Sequence, residues 1–284
     1  MKVIKRAKQG LKRLWNILAR TDMLVLPGQL AFFFLLATVP TITLIAYGAS
    51  LFNVSVDFIS NFLLKAFGSD IASLITPMIN DIHVSFEFLI PLFVAFYAAS
   101  GGASSIIVTS NQLLNFENSS FLKRKIKGLI MTLILISLIV FLLLVPAFGD
   151  KFIEMIKYVN MNQAVTNTIT FIINVSKGPI SWLVIFFLVK IIYTMAPDKR
   201  MSSSYTTKGS IFTTLGFVVV TYIYSYYVNN VAHYDLLYGG LSHFVVLMIW
   251  FYLIAYIVTI GIAINAEELD NRQKLAVKKE ENKQ

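Results

Sequence analysis

Six stretches of this chain run for about twenty residues each with almost no charge, the length a helix needs to cross a bilayer core. They cover residues 30–51, 88–108, 128–148, 179–195, 210–228 and 244–266, and no charged residue lies between Asp22 and Asp57. Lys190 is the single charge within the fourth, close enough to its end to snorkel. Hydrocarbon offers backbone N–H and C=O groups no partner, so such runs must satisfy themselves as helices. Membrane-spanning strands would read as alternating segments of about ten residues, a pattern absent here. The balance of residues agrees: 57% are apolar and 14% charged, against about 25% charged in a typical soluble domain. The expected fold class is all-α, a polytopic membrane protein with six transmembrane helices. Pro40 in the first span and Pro91 near the start of the second are each expected to kink their helix.

Charge orients the spans. The N-terminal segment from Lys2 to Arg20, the loop with Lys123, Arg124, Lys125 and Lys127, the turn with Lys190, Lys199, Arg200 and Lys208, and the tail from Arg272 to Lys283 hold twenty of the 24 Lys and Arg. The opposite side keeps Lys65, Lys151, Lys157 and Lys177. The positive-inside rule therefore expects both termini in the cytoplasm. The net charge of +9 then sits beside the membrane, where anionic headgroups are its expected partners. Nucleic acid is not expected, because no stacking aromatics interleave with these basic runs.

Three regions divide the chain. Residues 1–22 read as an amphipathic helix on the cytoplasmic leaflet, with Ile4, Ala7, Leu11, Leu14 and Leu18 on one face, basic residues on the others and Trp15 at headgroup level. This opening segment is too polar for a cleavable signal, so the first span is expected to act as an uncleaved anchor. Residues 23–268 form the six-helix domain. Residues 269–284 form a charged tail, expected to be disordered. Two outward-facing stretches, 54–87 and 151–175, are too apolar for plain loops. They are expected to form short extracytoplasmic helices that either cap the bundle or line a cavity. No internal repeat is evident.

Polar groups inside a membrane mark packing or function. The second span ends in a run of small residues from Ala98 to Ser105 that includes Ser100 and Gly101, with Thr109, Asn111 and Gln112 beyond it. Such residues let helices approach closely, or line a cavity where packing is loose. The fifth span leads into Tyr227, Asn230, His233, Tyr234, Asp235, Tyr238 and Gly239, a polar mouth richer than an ordinary aromatic belt. The sixth carries Trp250 and Asn265 and runs into Glu267, read as a partner for Arg20 or a loop lysine.

Much chemistry is excluded. The chain has no cysteine, hence no disulfide, thiolate nucleophile or cysteine metal site. Its histidines, His83, His233 and His243, form no metal-binding spacing, and there is no phosphate loop, dinucleotide fingerprint or nucleophile elbow. Neither cofactor nor metal is expected, and no enzymatic activity. Acidic residues are almost absent from span centres, which argues against a carboxylate proton relay.

Tyr193, Pro197–Asp198–Lys199–Arg200, Tyr226–Tyr227 with Asn230, Tyr234–Asp235 with Tyr238–Gly239, Trp250 with Tyr252, and Gly261, Asn265 and Glu267 form a series along the last third. Arg20 with Asp22, Gln29 to Pro40, Ser100–Gly101 and Asn111 extend it to the start. In this series the chain resembles the YihY/virulence factor BrkB family of bacterial inner-membrane proteins. The family usually has Ser–Arg–Gly where this sequence has Ser100–Gly101–Gly102, so that arginine's role does not carry over. The resemblance implies a bacterial cytoplasmic-membrane protein linked to envelope integrity and to lipid or solute transport. It also brings an old ribonuclease BN label, which the residues do not support. The expected function is a transporter or flippase-like protein for a lipid, lipid-linked precursor or small solute, with a non-transporting scaffold as the alternative. A homo-oligomer remains open.

Overall fold

The computed structural model describes residues 15–51, 60, 64, 89–158, 162–230 and 239–281. Within them lie six long helices: α1 (Asp22–Leu51), α2 (Leu89–Leu113), α3 (Phe121–Tyr158), α4 (Gln163–Met195), α5 (Ser203–Asn230) and α6 (Ser242–Glu281). A 3-10 turn, Gly239–Leu241, precedes α6, and no strand occurs among the described residues. The fold is all-α. Of the described helices, α2, α4, α5 and α6 are each long and apolar enough to cross a membrane. The first and third sequence spans coincide with α1 and α3, many of whose side chains lie outside the described residues.

Helix ends follow local chemistry. α2 stops in a Schellman motif: Asn115 adopts the left-handed conformation (φ 55°), Phe116 N–H donates to the Asn111 carbonyl and Asn115 N–H to that of Gln112. Asn162 caps α4, its side chain accepting from Ala164 N–H at 3.0 Å. Ala196 is still in helical geometry and donates to the Ile192 carbonyl at 2.7 Å, but Pro197 has no N–H with which to continue the ladder, and α4 ends there. Gly239 opens the 3-10 turn at φ 53°, a conformation glycine adopts without a Cβ penalty.

Several expectations change. Residues 151–175 do not form separate surface helices. Through Tyr158 they extend α3, and from Gln163 they begin α4, because no proline interrupts either helix there and Asn162 supplies a cap only at 162. Pro179, the expected start of the fourth span, lies inside α4. Pro91 is the third residue of α2, where a backbone N–H has no intrahelical partner to lose, so it need not kink the helix. The tail is helical as far as Glu281: residues such as Glu, Lys, Arg, Gln and Ala favour helix, and Arg272 bonds Glu268 one turn away at 2.9 Å. The amphipathic reading of residues 1–14 and nearly all of 54–87 lies outside the described residues.

Each helix packs against its neighbours in sequence, and α6 returns to pack against α1, closing a ring. The burial pattern is that of a body in apolar solvent. Large apolar side chains such as Leu24, Phe32, Phe93, Phe171 and Trp182 point outward. The interior holds Ser100, Ser105, Thr109, Asn111, Thr206, Ser210, Thr213, Thr259 and Asn265 beside alanines and isoleucines. Lipid supplies no hydrophobic force between helices, so close contact of small residues holds them instead.

Candidate functional site

One end of the bundle carries most of its polar contacts. The ends of α2, α4 and α6 meet the starts of α1, α3 and α5 there, as the Gln112–Asp22, Asn111–Asp198 and Lys208–Glu268 bonds require. At its centre is Asp198, just past the end of α4. One carboxylate oxygen accepts from Asn111 Nδ2 (2.7 Å) and from Ser119 N–H (2.9 Å). The other accepts from Lys127 Nζ (2.9 Å). Asn111 Oδ1 accepts in return from Asp198 N–H (2.8 Å), and Lys127 also donates to the Ala196 and Pro197 carbonyls at 2.8 and 2.7 Å. Burial pushes the Asp198 carboxyl up, but the Ser119 amide, the Lys127 ammonium and Asn111 outweigh it and hold the pKa at about 2. The group stays ionised and ties three chain segments together. With its acceptors filled, it is a structural anchor.

A second cluster joins α4, α5 and α6. The buried Tyr193 hydroxyl lies 2.6 Å from Thr213 Oγ1 and donates to the Val258 carbonyl at 2.9 Å. Gly209 N–H donates to Asn265 Oδ1 at 2.8 Å. A Cβ on Gly209 would strike the Gly261 carbonyl and the Asn265 amide, and one on Gly261 would strike Thr213 and Tyr193. The sequence uses glycine at both because the helices touch backbone to backbone. At the rim Glu268 accepts from Lys208 (2.6 Å) and Arg272 (2.9 Å). The Lys208 hydrogen bond, against some burial, keeps its pKa below the usual carboxylate range.

The third feature is open. A recess of about 210 Å³ lies between α1, α2 and α3, lined by Gln29 and Phe33, by Gly101, Ser104, Ser105 and Val108, and by Phe121, Arg124 and Lys125. Lys125 extends along α2, donating to the Tyr97 carbonyl at 3.0 Å with its ammonium 3.6 Å from the centre of the Tyr97 ring.

The structure therefore separates the sequence candidates. Gln29 and Gly101 line the recess. Ser100 is fully buried beside them, its hydroxyl donating to the Tyr97 carbonyl at 2.6 Å. Asn111 and Pro197 belong to the Asp198 anchor, and Tyr193 and Asn265 to the α4–α5–α6 crossing. Trp250 is buried against Phe217 and Phe251. Tyr227, Asn230 and Gly239 fall at the opposite end, while Tyr234, Asp235 and Tyr238 lie outside the described residues. Glu268, next to Glu267, pairs with Lys208 and Arg272. Asp198, Lys127, Gly209 and Thr213 were not singled out from sequence. Asp198 and Lys127 stood in quoted motifs and loops, but nothing local indicates a partner 71 residues away. Among the described residues no three of His, Cys, Asp and Glu gather as metal ligands.

Apolar outward faces, small and hydroxylated interior positions and a basic end define a membrane-embedded all-α protein. The chain belongs to the virulence factor BrkB family, whose profile matches residues 14–284. It is 28% identical over 257 residues to the ribonuclease-like protein YfkH of Bacillus subtilis (strain 168), covering 87% of this chain and 90% of that one. It is also 32% identical over 71 residues to a UPF0761 membrane protein of Alteromonas mediterranea, a match limited to 25% of this chain and 24% of the other. No solved structure matches the chain.

Proposed function

We propose that this protein is a transporter or flippase-like protein for a lipid, a lipid-linked precursor or a small solute, acting in the bacterial cytoplasmic membrane in support of envelope integrity. The observation that carries the reading is the recess between α1, α2 and α3, where polar and basic side chains meet an opening among otherwise apolar outer faces. A headgroup can enter such a notch while its chains stay in lipid. The ribonuclease reading has no support from side-chain chemistry, and the word belongs to a relative's name.

The test is reconstitution into liposomes carrying a trace of headgroup-labelled phospholipid, with quenching of the outer leaflet. Transport predicts a quenchable fraction beyond the outer half, and Gly101→Leu should reduce it. A Cβ at Gly101 meets only Phe33 at 3.7 Å, so a larger side chain can start there without a backbone clash, at a residue that lines the recess. Label movement no faster than in empty liposomes would reject transport of these lipids. It would favour a scaffold, which the packing of Leu26, Leu30, Ile107, Met131 and Ile260 in one core also suits.

A further inference from the structure

Hydroxyls on helices usually donate to the carbonyl one turn back, which hides them from lipid. Thr38, Thr132, Thr194, Ser210 and Thr259 all do so here. Others do not: the buried hydroxyl oxygens of Ser104, Ser105, Thr109 and Ser110 on α2 have no hydrogen-bond partner, nor do those of Thr214 and Thr221 on α5 and Ser242 on α6. Ser105 is only 4% exposed and, with Ser104, lines the recess. A buried hydroxyl without a partner is unfavourable, and at a cavity wall a ligand can complete it.

The cations of the same wall are unusual too. Arg20, Lys127, Lys208 and Arg272 each pair with a carboxylate. Arg124 and Lys125 pair with none among the described residues, although both are half-buried. Two cations that lack a carboxylate partner among the described residues, the exposed Gln29 amide and the unpaired Ser105 hydroxyl converge on one space of about 210 Å³. All can donate hydrogen bonds and no carboxylate among the described residues lines the space, which suits an anionic acceptor. Arg124 offers a planar fork suited to phosphate oxygens, and Lys125, held beside Tyr97, a point charge. Sites for whole drug-sized molecules measure roughly 300–1,000 Å³, so this one holds a headgroup and not a whole lipid.

We infer that the α1–α2–α3 recess binds the phosphate of an anionic phospholipid headgroup, held by Arg124 and Lys125 with Ser105 and Gln29 completing its hydrogen bonds. A lipid is favoured over a free phosphate compound because Phe33, Val108 and the exposed Phe121 share the wall, and Tyr97, 49% exposed, adjoins it through Lys125. These surfaces suit the glycerol and upper acyl chains. The site deepens the transport reading without depending on it, since binding alone is measured.

The full-length protein, purified in neutral detergent and delipidated, is titrated with phosphatidylglycerol or phosphatidylcholine and followed by native mass spectrometry. One phosphatidylglycerol should be retained in preference to phosphatidylcholine. Arg124→Gln/Lys125→Gln should weaken that binding at least tenfold and Ser105→Ala severalfold, while Lys274→Gln, at an exposed position of α6, leaves it unchanged. Arg124→Gln alone provides the reading if the double variant does not fold. Unaltered phosphatidylglycerol affinity in the recess variants, or an equal loss in Lys274→Gln, overturns the site. Displacement of the lipid by millimolar inorganic phosphate overturns the lipid assignment in favour of a soluble phosphate ligand. A protein that binds phosphatidylglycerol as described but moves no lipid in liposomes leaves this site standing and removes only the transport reading.

Discussion

Asp198 shows how much one side chain can carry at the basic end. Its carboxylate gathers the end of α2, the loop before α3 and Lys127 of α3 around the end of α4. Asp198→Asn keeps the size but places an amide where the Lys127 ammonium and the Ser119 N–H need an acceptor. It should lower stability by about 1–3 kcal/mol. The pH dependence has a fixed sign. Folding depresses this pKa from 3.8 to about 2, so the stabilisation is complete above about pH 4 and fades as pH falls toward 2. Thermal unfolding in detergent from pH 6 to pH 2 should show wild type and Asp198→Asn converging at the acid end. A gap of constant size would mean that the charge is not what Asp198 contributes. Asn111 could be nominated from sequence because an amide at a span end is conspicuous, whereas Asp198 looks like any loop acid until the segment after α4 meets the end of α2. Ser105 was legible only as part of a small-residue run. Whether such a hydroxyl bonds its own helix, as Ser100 does, or stays unpaired depends on rotamer and neighbours.

Among the elements, the helices were legible because apolar runs of membrane length leave the backbone no other way to satisfy itself. Their limits were less so. α3 and α4 continue into residues 151–175, where amphipathic spacing describes the end of a long helix as well as a surface one. The crossings were legible only as an excess of glycine, without their pairing. Gly209 and Gly261 fix the α5–α6 contact, and Ser104 and the Ser100 carbonyl press on Gly128 at the α2–α3 contact. Gly178 of α4 meets nothing within 4 Å. These differences predict opposite signs for one substitution. Gly209→Ala drives a methyl group into the Gly261 carbonyl and should cost about 1–3 kcal/mol, as overpacking does. Gly178→Ala adds a methyl in open space and should stabilise α4 by about 0.5–1 kcal/mol. Chemical unfolding in mixed micelles measures both. Equal effects of the two would mean that α5 and α6 are not in backbone contact.

For the whole molecule the open matter is which way it sits, and α4 is the critical helix. Its most apolar window is almost entirely unburied, so packing alone does not hold it in the bundle. Its length of 33 residues makes about 50 Å, well beyond the roughly 30 Å hydrocarbon core. Its first turns carry Asn167, Thr168, Asn174 and Lys177, which belong in the headgroup region, and the apolar stretch follows from Pro179 onward. The excess length therefore projects from the side opposite Asp198. Arg20, Arg124, Lys127, Lys199, Lys208 and Arg272 all gather at the Asp198 end, and flanking cations of this kind are retained in the cytoplasm. Because the chain has no cysteine, single cysteines report position without background. Gln163 opens α4 and Ser203 opens α5, eight residues beyond the other end of α4, and both are exposed. In intact cells a membrane-impermeant maleimide should label Gln163→Cys and also Ser55→Cys, which sequence places on the same side. Ser203→Cys should react only after the membrane is opened. The reverse pattern would invert the protein. Labelling of Gln163→Cys and Ser203→Cys from one side would show that α4 lies along the membrane and does not cross it, and the ring of helices would then need another boundary.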